Sequence, residues 1–261
     1  MKKILIFICY IIFATHVYAY ENTYALIIGV ADYLGSGDLR YTINDAQLFY
    51  KFLKSKKGGS VPDKNIVYLT NARASKANII AQGKALFSRA NKNDRVIFFF
   101  SGHGSRGCFV PYDAALSYNN YLFFSEIKSM FKCAKSDTKL LFADACFSGS
   151  MKGVESKNIH ETLKKEVKGS SKMNIAVMMS CRGNETSIES GELKQGLFTY
   201  YLIQGLGGLA NSDNNKYVTI KELFYYVYRK TRSKAASMGY SQTPELFGNF
   251  DVRLIVANVN N

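Results

Sequence analysis

The sequence contains no tryptophan, only three prolines, and only 20 acidic residues against 34 lysines and arginines. The scarcity of proline, together with a hydrophobic content of 47%, excludes a collagen-like, proline-rich or disordered chain. No long apolar run follows the first twenty residues, which excludes a membrane protein with several spans. The 261 residues fit one large α/β domain or two small ones, and the absence of a linker-like stretch favours one domain.

The shortage of acidic residues leaves a net charge of +14, which is compatible with binding to nucleic acid or to an anionic envelope surface. The lysines are spread along the chain, however, and no arginine–aromatic stripe marks a nucleic-acid groove. We therefore interpret the charge as a solvated basic surface and expect no nucleic-acid partner.

Cysteine and histidine are also few, at five and three residues. The four cysteines beyond residue 20 are Cys108, Cys133, Cys146 and Cys181, and none of them forms a Cys-x-x-Cys pair. This spacing does not predict a zinc site. An oxidising compartment would permit a disulfide such as Cys108–Cys133, and the sequence leaves that pairing open.

The N-terminal segment has the pattern of a secretory signal peptide. Lys2 and Lys3 precede an uncharged apolar run from Ile4 to Phe13, and Ala19 ends a stretch with small residues at the cleavage positions. We expect removal of residues 1–19, leaving a periplasmic or secreted domain over residues 20–261 that is free of the membrane. The alternative is an uncleaved anchor, because residues 4–20 carry no charge.

Short apolar runs alternate with helical patterns along the remaining chain, which is typical of a mostly parallel sheet covered by helices on both faces. Strands are predicted at Tyr24–Val30, Asn65–Thr70, Asp94–Phe100, Thr138–Ala143 and Ile175–Met179, with a closing sixth strand at Val252–Val256. Helices are predicted at Asn44–Lys57, Lys76–Ala90, Tyr121–Cys133, Gly196–Leu206 and Thr219–Arg232. The lysine-rich stretch 149–172 is predicted to be an exposed loop.

Two of the predicted strands end in reactive side chains. The third strand runs out into Ser101-Gly102-His103-Gly104, and the fourth runs out into Asp144-Ala145-Cys146. Because sites in open α/β sheets form beyond the carboxyl ends of the strands, we expect His103 and Cys146 to meet there. A histidine beside a cysteine supplies a thiolate nucleophile and its acid–base partner.

These motifs resemble, in their order along the chain, the caspase-like cysteine peptidases, and the metacaspase type in particular. The matching segments are Ala25–Gly29, Leu39–Ala46, Ser101–Gly104, Asp144–Gly149, Cys181–Ser187, Gly196–Thr199 and Gln242–Pro244. The resemblance implies a three-layer caspase-like fold with a six-stranded sheet. It also implies an endopeptidase in which Cys146 attacks the scissile carbonyl, His103 transfers protons, and the backbone amides of Gly104 and Cys146 form the oxyanion hole.

The resemblance further implies that Asp45, Ser101 and Asp144 line the S1 pocket. Two carboxylates in one pocket repel each other unless a cation lies between them, and a guanidinium fits with bidentate geometry. We therefore expect peptide or protein substrates with arginine or lysine at P1. The alternatives are that Asp45 caps its helix while Asp144 accepts backbone amides, that Arg40 selects an acidic P1 residue, or that the domain is a catalytically silent binding module.

The loop at residues 149–172 directly follows the nucleophile, where caspase relatives divide into large and small subunits. Its lysines predict self-processing by an enzyme with a basic P1 preference. No cofactor is expected, with calcium as the alternative. The segment Asn211–Glu222 has EF-hand-like spacing but lacks aspartate at position one and glycine at position six, which favours a plain turn before a helix. The oligomeric state is left open.

Overall fold

The computed structural model describes residues 20–35, 37–105, 107–146 and 174–259. The helices are α1 (Thr42–Lys54), α2 (Lys76–Phe87), α3 (Phe124–Cys133), α4 (Leu197–Gln204) and α5 (Ile220–Ser237). The strands are β1 (Thr23–Gly29), β2 (Ile66–Thr70), β3 (Arg95–Ser105), β4 (Cys108–Phe109), β5 (Leu122–Phe123), β6 (Thr138–Cys146), β7 (Ile175–Met179), β8 (Glu189–Ser190), β9 (Gln195–Gly196), β10 (Tyr217–Thr219), β11 (Glu245–Gly248) and β12 (Ile255–Asn258). The signal-peptide segment and the lysine-rich loop both lie outside the described residues.

The central sheet has a main path of six strands in the order β11–β7–β6–β3–β1–β2, and β4 and β5 extend it beside the end of β3. The strands from β7 to β2 are parallel, and β11 pairs antiparallel with β7 at one edge. The predicted mostly parallel sheet of an α/β fold is therefore confirmed. Within the described residues, no helix has the length and apolar character needed to cross a membrane.

Helices cover both faces of the sheet, because its central strands are apolar on both sides. The seven residues of β1 are all buried, and alternate residues belong to two separate core clusters. Leu26 and Ile28 pack in one cluster with α2 and α3. Ala25 and Ile27 pack in the other with α1, α4 and α5. This gives three layers, α/β/α.

The prediction of a closing strand at Val252–Val256 is wrong in both position and partner. The sixth strand of the main sheet is β11, whereas β12 pairs antiparallel with β10 in a separate two-stranded sheet. The predicted helix at Gly196–Leu206 corresponds to α4, which continues into a π-helical segment at Gly205–Leu209. The sequence leaves open a disulfide between Cys108 and Cys133. In the structure both are free thiols.

Candidate active site

His103 and Cys146 are neighbours across two central strands. In the parallel pairing of β3 with β6, His103 lies directly opposite Cys146, and Ser101 lies opposite Asp144. Both strands run further than the sequence indicates, so these residues lie within hydrogen-bonded strands and not in turns beyond them. Cys146 is described by its backbone position, and that position is fixed by the register of the sheet.

The imidazole of His103 is held by the loop that follows β1. Its Nε2 lies within hydrogen-bonding distance of the carbonyl oxygen of Gly37, and its ring centroid lies 4.8 Å from that of Tyr33. The backbone N–H of His103 donates to the Tyr33 hydroxyl at 2.6 Å. Because a carbonyl oxygen only accepts, Nε2 must carry the proton in this contact, which leaves the Nδ1 lone pair of a neutral ring available as a base.

A cavity of about 360 Å³ opens at the carboxyl ends of β3 and β6. Five of the site residues expected from the sequence line this cavity: Asp45, Ser101, His103, Gly104 and Asp144. Cys146 is not among the lining residues, but its neighbour Ala145 is. Its opposite wall is the segment 186–189, which the sequence did not assign to the site. Its polar groups are mainly acceptors and hydroxyls, which suits a cationic ligand.

Asp45 reaches the cavity because α1 packs closely against the end of β1. A Cβ atom at Gly29 would lie 2.7 Å from Ala46 Cβ and 2.8 Å from the carbonyl oxygen of Thr42, so the helix approaches this near only because residue 29 is glycine. Asp45 lies inside the first turn of α1, and its side chain does not cap the helix. Its carboxylate accepts from Ser101 Oγ at 2.8 Å and from the backbone N–H of Gly196 at 3.0 Å.

Asp144 lies on β6, two residues before Cys146, and its carboxylate is surrounded by donors. Oδ2 accepts from the backbone N–H and the hydroxyl of Thr199, at 3.1 Å and 2.8 Å. Oδ1 accepts from the hydroxyl of Ser187. The alternative in which Asp144 accepts from backbone amides is thus correct for the N–H of Thr199. The other donors described here are hydroxyl groups.

Burial raises the pKa of both carboxyl groups. Asp45 is 1% exposed and Asp144 is 5% exposed. The pKa of Asp45 rises well above its ordinary value because of burial first and the negative charge of Asp144 second. The pKa of Asp144 is also raised by burial, but the hydroxyls of Ser187 and Thr199 oppose that rise. Burial thus disfavours the ionised form of both carboxyl groups.

Gly196 separates the two carboxylates and is one of the site residues to which sequence reasoning gave no role. A Cβ atom there would overlap Asp144 Oδ2 and lie 3.0 Å from Asp45 Oδ2. Ser187 and Thr199 were also given no role, although the motifs Cys181–Ser187 and Gly196–Thr199 carry the family resemblance. They donate to carboxylates that lie more than 40 residues away along the chain, as Ser187 does to Asp144. A single sequence does not show such contacts.

The described residues contain no cluster of three histidine, cysteine or acidic side chains arranged for a metal ion. In the EF-hand-like segment, Asp213 accepts from Asn215, and Glu222 accepts from Ser212 and Thr219. Thr219 and Glu222 form a capping box at the start of α5. The segment turns into the short strand β10 and only then enters α5.

Comparison with known proteins gives matches along most of the chain. A family model described as the caspase domain matches residues 22–254. Metacaspase-1 of Eremothecium gossypii is 36% identical over 89 residues, covering 32% of this chain and 19% of that protein. Metacaspase-1A of Aspergillus oryzae is 34% identical over 88 residues, covering 31% and 20%.

Two further matches extend over nearly the whole chain. A protein of a Desulfuromonadales bacterium, named "Probable protease", is 24% identical over 257 residues, covering 86% of this chain and 31% of that protein. The chain thus spans less than a third of the length of these curated relatives. The crystal structure of a Geobacter sulfurreducens protein superposes with a TM-score of 0.58 at 16% identity, covering 87% of this chain and 92% of that one. That likeness concerns the fold alone.

Proposed function

Because the chain belongs to the caspase-domain family, we propose that it is a cysteine endopeptidase that cleaves after arginine or lysine. The observation that carries this proposal is the register of β3 with β6, which sets His103 opposite Cys146 beside a cavity holding two buried carboxylates. The sequence alone indicates the two reactive residues, and the strand pairing supports their acting together.

In the first half of the proposed reaction, His103 Nδ1 takes the proton of the Cys146 thiol as the sulfur attacks the scissile carbonyl carbon. A carbon–sulfur bond forms, and the carbonyl oxygen becomes an oxyanion. The backbone amides of Gly104 and Cys146 are the proposed donors to it, each worth about 3 kcal/mol in the transition state. The carbon–nitrogen bond then breaks, the leaving amine takes the proton from His103, and a thioester remains on Cys146.

In the second half, His103 removes a proton from water as the water oxygen attacks the thioester carbon. The carbon–sulfur bond breaks, the departing Cys146 thiolate takes back the proton from His103, and the product carboxylic acid is released. The contact from His103 Nε2 to the Gly37 carbonyl supports both halves, because a positive charge on the ring strengthens that hydrogen bond. No acidic third residue is required, since a thiol ionises more readily than a hydroxyl.

The preference for a basic P1 residue is supported by the charges of the cavity. Asp45, Asp144 and Glu189 line it, and none of its described lining residues is lysine or arginine. Arg40, the candidate for binding an acidic P1 side chain, is exposed and does not line the cavity. Its backbone N–H donates to the Glu189 carboxylate at 3.1 Å. A guanidinium in the cavity would offset the repulsion between Asp45 and Asp144.

The test is a panel of fluorogenic peptides with arginine, lysine, aspartate or asparagine at P1. We expect cleavage of the arginine and lysine peptides by the wild type, none by Cys146→Ala, and normal cleavage by Cys133→Ala. Cys133 is a matched control because it is a half-buried free thiol on α3, away from the sheet end. Cleavage after aspartate would contradict the P1 assignment. A folded wild type that cleaves no peptide would favour a silent binding module.

A further inference from the structure

The side chain of Gln242 is buried behind the cavity wall, and both the nitrogen and the oxygen of its amide form hydrogen bonds. It is 1% exposed and does not itself line the cavity. Nε2 donates to the carbonyl oxygen of Ser180 at 3.1 Å and to Ser187 Oγ at 3.0 Å. Oε1 accepts from the backbone N–H of Ile188 at 3.0 Å. Both amide protons and the amide oxygen are therefore engaged.

The direction of these hydrogen bonds follows from the number of protons available. A serine hydroxyl has one proton, and that of Ser187 is donated to Asp144 Oδ1. Ser187 must therefore accept from Gln242. The two bonds form a chain in which each donor points toward the carboxylate, an arrangement in which each bond polarises the next.

The same amide also fixes the backbone around the site. Ile188 belongs to the segment 186–189 that forms one wall of the cavity. Ser180, whose carbonyl accepts from Gln242, shares hydrogen bonds with both the N–H and the carbonyl of Ala145, at 3.1 Å and 3.3 Å. Ala145 is the residue between Asp144 and Cys146, so one side chain is connected to the wall, the carboxylate and the strand that carries the nucleophile.

We propose that Gln242 is a positioning residue for P1 specificity, which holds the Ser187 hydroxyl on Asp144 and anchors the cavity wall at Ile188. This inference rests on the proposed function, because it assigns the cavity to the P1 side chain. Gln242 acts through Ser187 and does not touch the substrate. A glutamine is required because it alone combines two donors with an acceptor at this length.

The residue after Gln242 makes a separate contact that should hold this part of the backbone in place when Gln242 is replaced. Thr243 donates from its backbone N–H and its hydroxyl to the carboxylate of Glu185, at 2.6 Å and 2.9 Å. Glu185 and Ser187 belong to the same loop. A variant at residue 242 is therefore expected to fold with this loop still attached.

The test variant is Gln242→Glu, with Gln204→Glu as its matched control. The introduced carboxylate keeps the size of the side chain and the acceptor for Ile188, but it offers no proton to Ser187 or Ser180. The Ser187 hydroxyl then has a second acceptor that competes with Asp144. Gln204 is half-buried on α4, and its Oε1 accepts from the Tyr226 hydroxyl at 3.0 Å, a bond that a carboxylate retains.

We expect Gln242→Glu to raise KM for the arginine peptide by about ten- to a hundredfold, the effect of one lost hydrogen bond to a charged group. The kcat value should change less, and the acidic limb of the kcat/KM profile should move to higher pH because Asp144 loses a donor. Alkylation of Cys146 by iodoacetamide, which does not use the P1 cavity, should proceed at the wild-type rate. Gln204→Glu should match the wild type in every measurement.

Two results would overturn the role of Gln242. One is a KM unchanged by Gln242→Glu. The other is a parallel fall in melting temperature, kcat and alkylation rate, which would mean a purely structural role. A wild type that prefers another P1 residue would contradict the proposed function alone, and the same variants assayed on that preferred peptide would still decide for or against Gln242. A wild type inactive on the whole panel would overturn both.

Discussion

The two buried carboxylates of the cavity differ in how well their charge is supported. Among the described residues, Asp144 accepts three hydrogen bonds, from Ser187 and from two groups of Thr199. Asp45 accepts two from the same described part of the chain, from Ser101 and Gly196, and it also experiences the charge of Asp144. Ionisation of Asp45 therefore costs the folded protein free energy. Without a bound cation, its charge opposes folding.

Replacing Asp45 with asparagine should stabilise the protein as pH rises. The raised pKa means that the folded state holds the Asp45 proton more tightly than the unfolded chain, so wild-type stability falls as pH rises from the ordinary value of 3.8 through the raised pKa. The introduced amide would not be charged at any pH, while it still bonds to Ser101 and Gly196. Thermal melts should show a Tm advantage for Asp45→Asn that grows as the pH rises above about 4, with roughly 2–4 °C for each kcal/mol.

The same substitution should lower kcat/KM for arginine peptides by about ten- to a hundredfold, because a bound guanidinium loses a charged partner. The two measurements together separate binding from folding. If Asp45→Asn melts below the wild type throughout this pH range, burial of the Asp45 charge is not the destabilising factor described above.

At this scale the sequence predicts which candidate residues lie together at the carboxyl ends of β3 and β6. Cys146, His103, Asp45, Ser101 and Asp144 belong to the segments that a single sequence marks by strand ends and motifs. It does not predict which donors satisfy the carboxylates, because those bonds depend on tertiary proximity. Gly196 and Asp45, for example, are 151 residues apart and share a hydrogen bond.

The hairpin of β8 and β9 joins the cavity wall to the beginning of α1. Glu189 accepts from the backbone N–H groups of Arg40 and Tyr41 at the helix N-terminus, where a negative charge is favourable. On the second strand of the hairpin, Gly196, which pairs with Glu189, donates to Asp45. Asn44 donates to the carbonyl oxygen of Lys194 at 2.9 Å. The hairpin and α1 therefore hold the cavity from the same side.

A methyl group at the end of this hairpin should displace the carboxylates. Gly196→Ala would place a Cβ atom against Asp144 Oδ2 and 3.0 Å from Asp45 Oδ2, so at least one side chain must move. We expect a loss of at least about tenfold in kcat/KM for arginine peptides, which corresponds to about 1.4 kcal/mol of transition-state stabilisation. The kinetics should be measured together with a thermal melt.

Gly191→Ala is the matched control, because a Cβ atom at this position of the same hairpin meets only Tyr41 Oη, at 3.8 Å. It should leave kcat/KM near the wild-type value. Equal losses for both variants would show that the hairpin tolerates no side chain anywhere, and that the contact at Gly196 has no special importance.

The long apolar strands are predictable from sequence, but the short elements are not. A strand that is buried on both faces, such as Ile97–Phe100, needs apolar residues at every position. Such a continuous apolar run distinguishes it from a loop. In contrast, β11 has four residues and pairs along one edge only, with Phe247 opposite Val177, so it presents too little alternation to be recognised. Val252–Val256 is more apolar, so its composition predicts a strand more strongly.

For the whole molecule, the lysine-rich segment 149–172 makes self-processing testable. The segment directly follows Cys146, and its lysines match the proposed P1 preference. A substrate tethered to its own enzyme is present at high effective concentration. Purified wild-type protein should therefore yield two fragments on incubation, resolved by denaturing electrophoresis and located by mass spectrometry.

Cys146→Ala should stay intact under the same conditions, whereas Cys133→Ala should be cleaved like the wild type. Mixing the wild type with an excess of Cys146→Ala then separates cleavage within one chain from cleavage between chains. Fragments of the same size from purified Cys146→Ala alone would indicate a contaminating protease and would contradict self-processing.

We also propose that the protein is exported and that Tyr20 is its mature N-terminus. The basic residues Lys2 and Lys3, the apolar run after them and Ala19 before the cut form a signal-peptide pattern. The intact mass of protein recovered from the periplasm or medium of the producing cell should lack residues 1–19. Full-length protein that sediments with membranes would support the uncleaved anchor.

The pairing of β6 with β7 has a consequence for the molecule after a cut anywhere between residues 146 and 174. The donors to Asp144 within the described residues come from the later fragment, through Ser187 and Thr199, while His103 and Cys146 remain on the earlier one. A nicked molecule is thus a heterodimer whose fragments share one sheet, and mass action then applies to it. Its melting temperature should depend on protein concentration, and on sufficient dilution the two fragments should dissociate and lose activity, as the uncut chain would not.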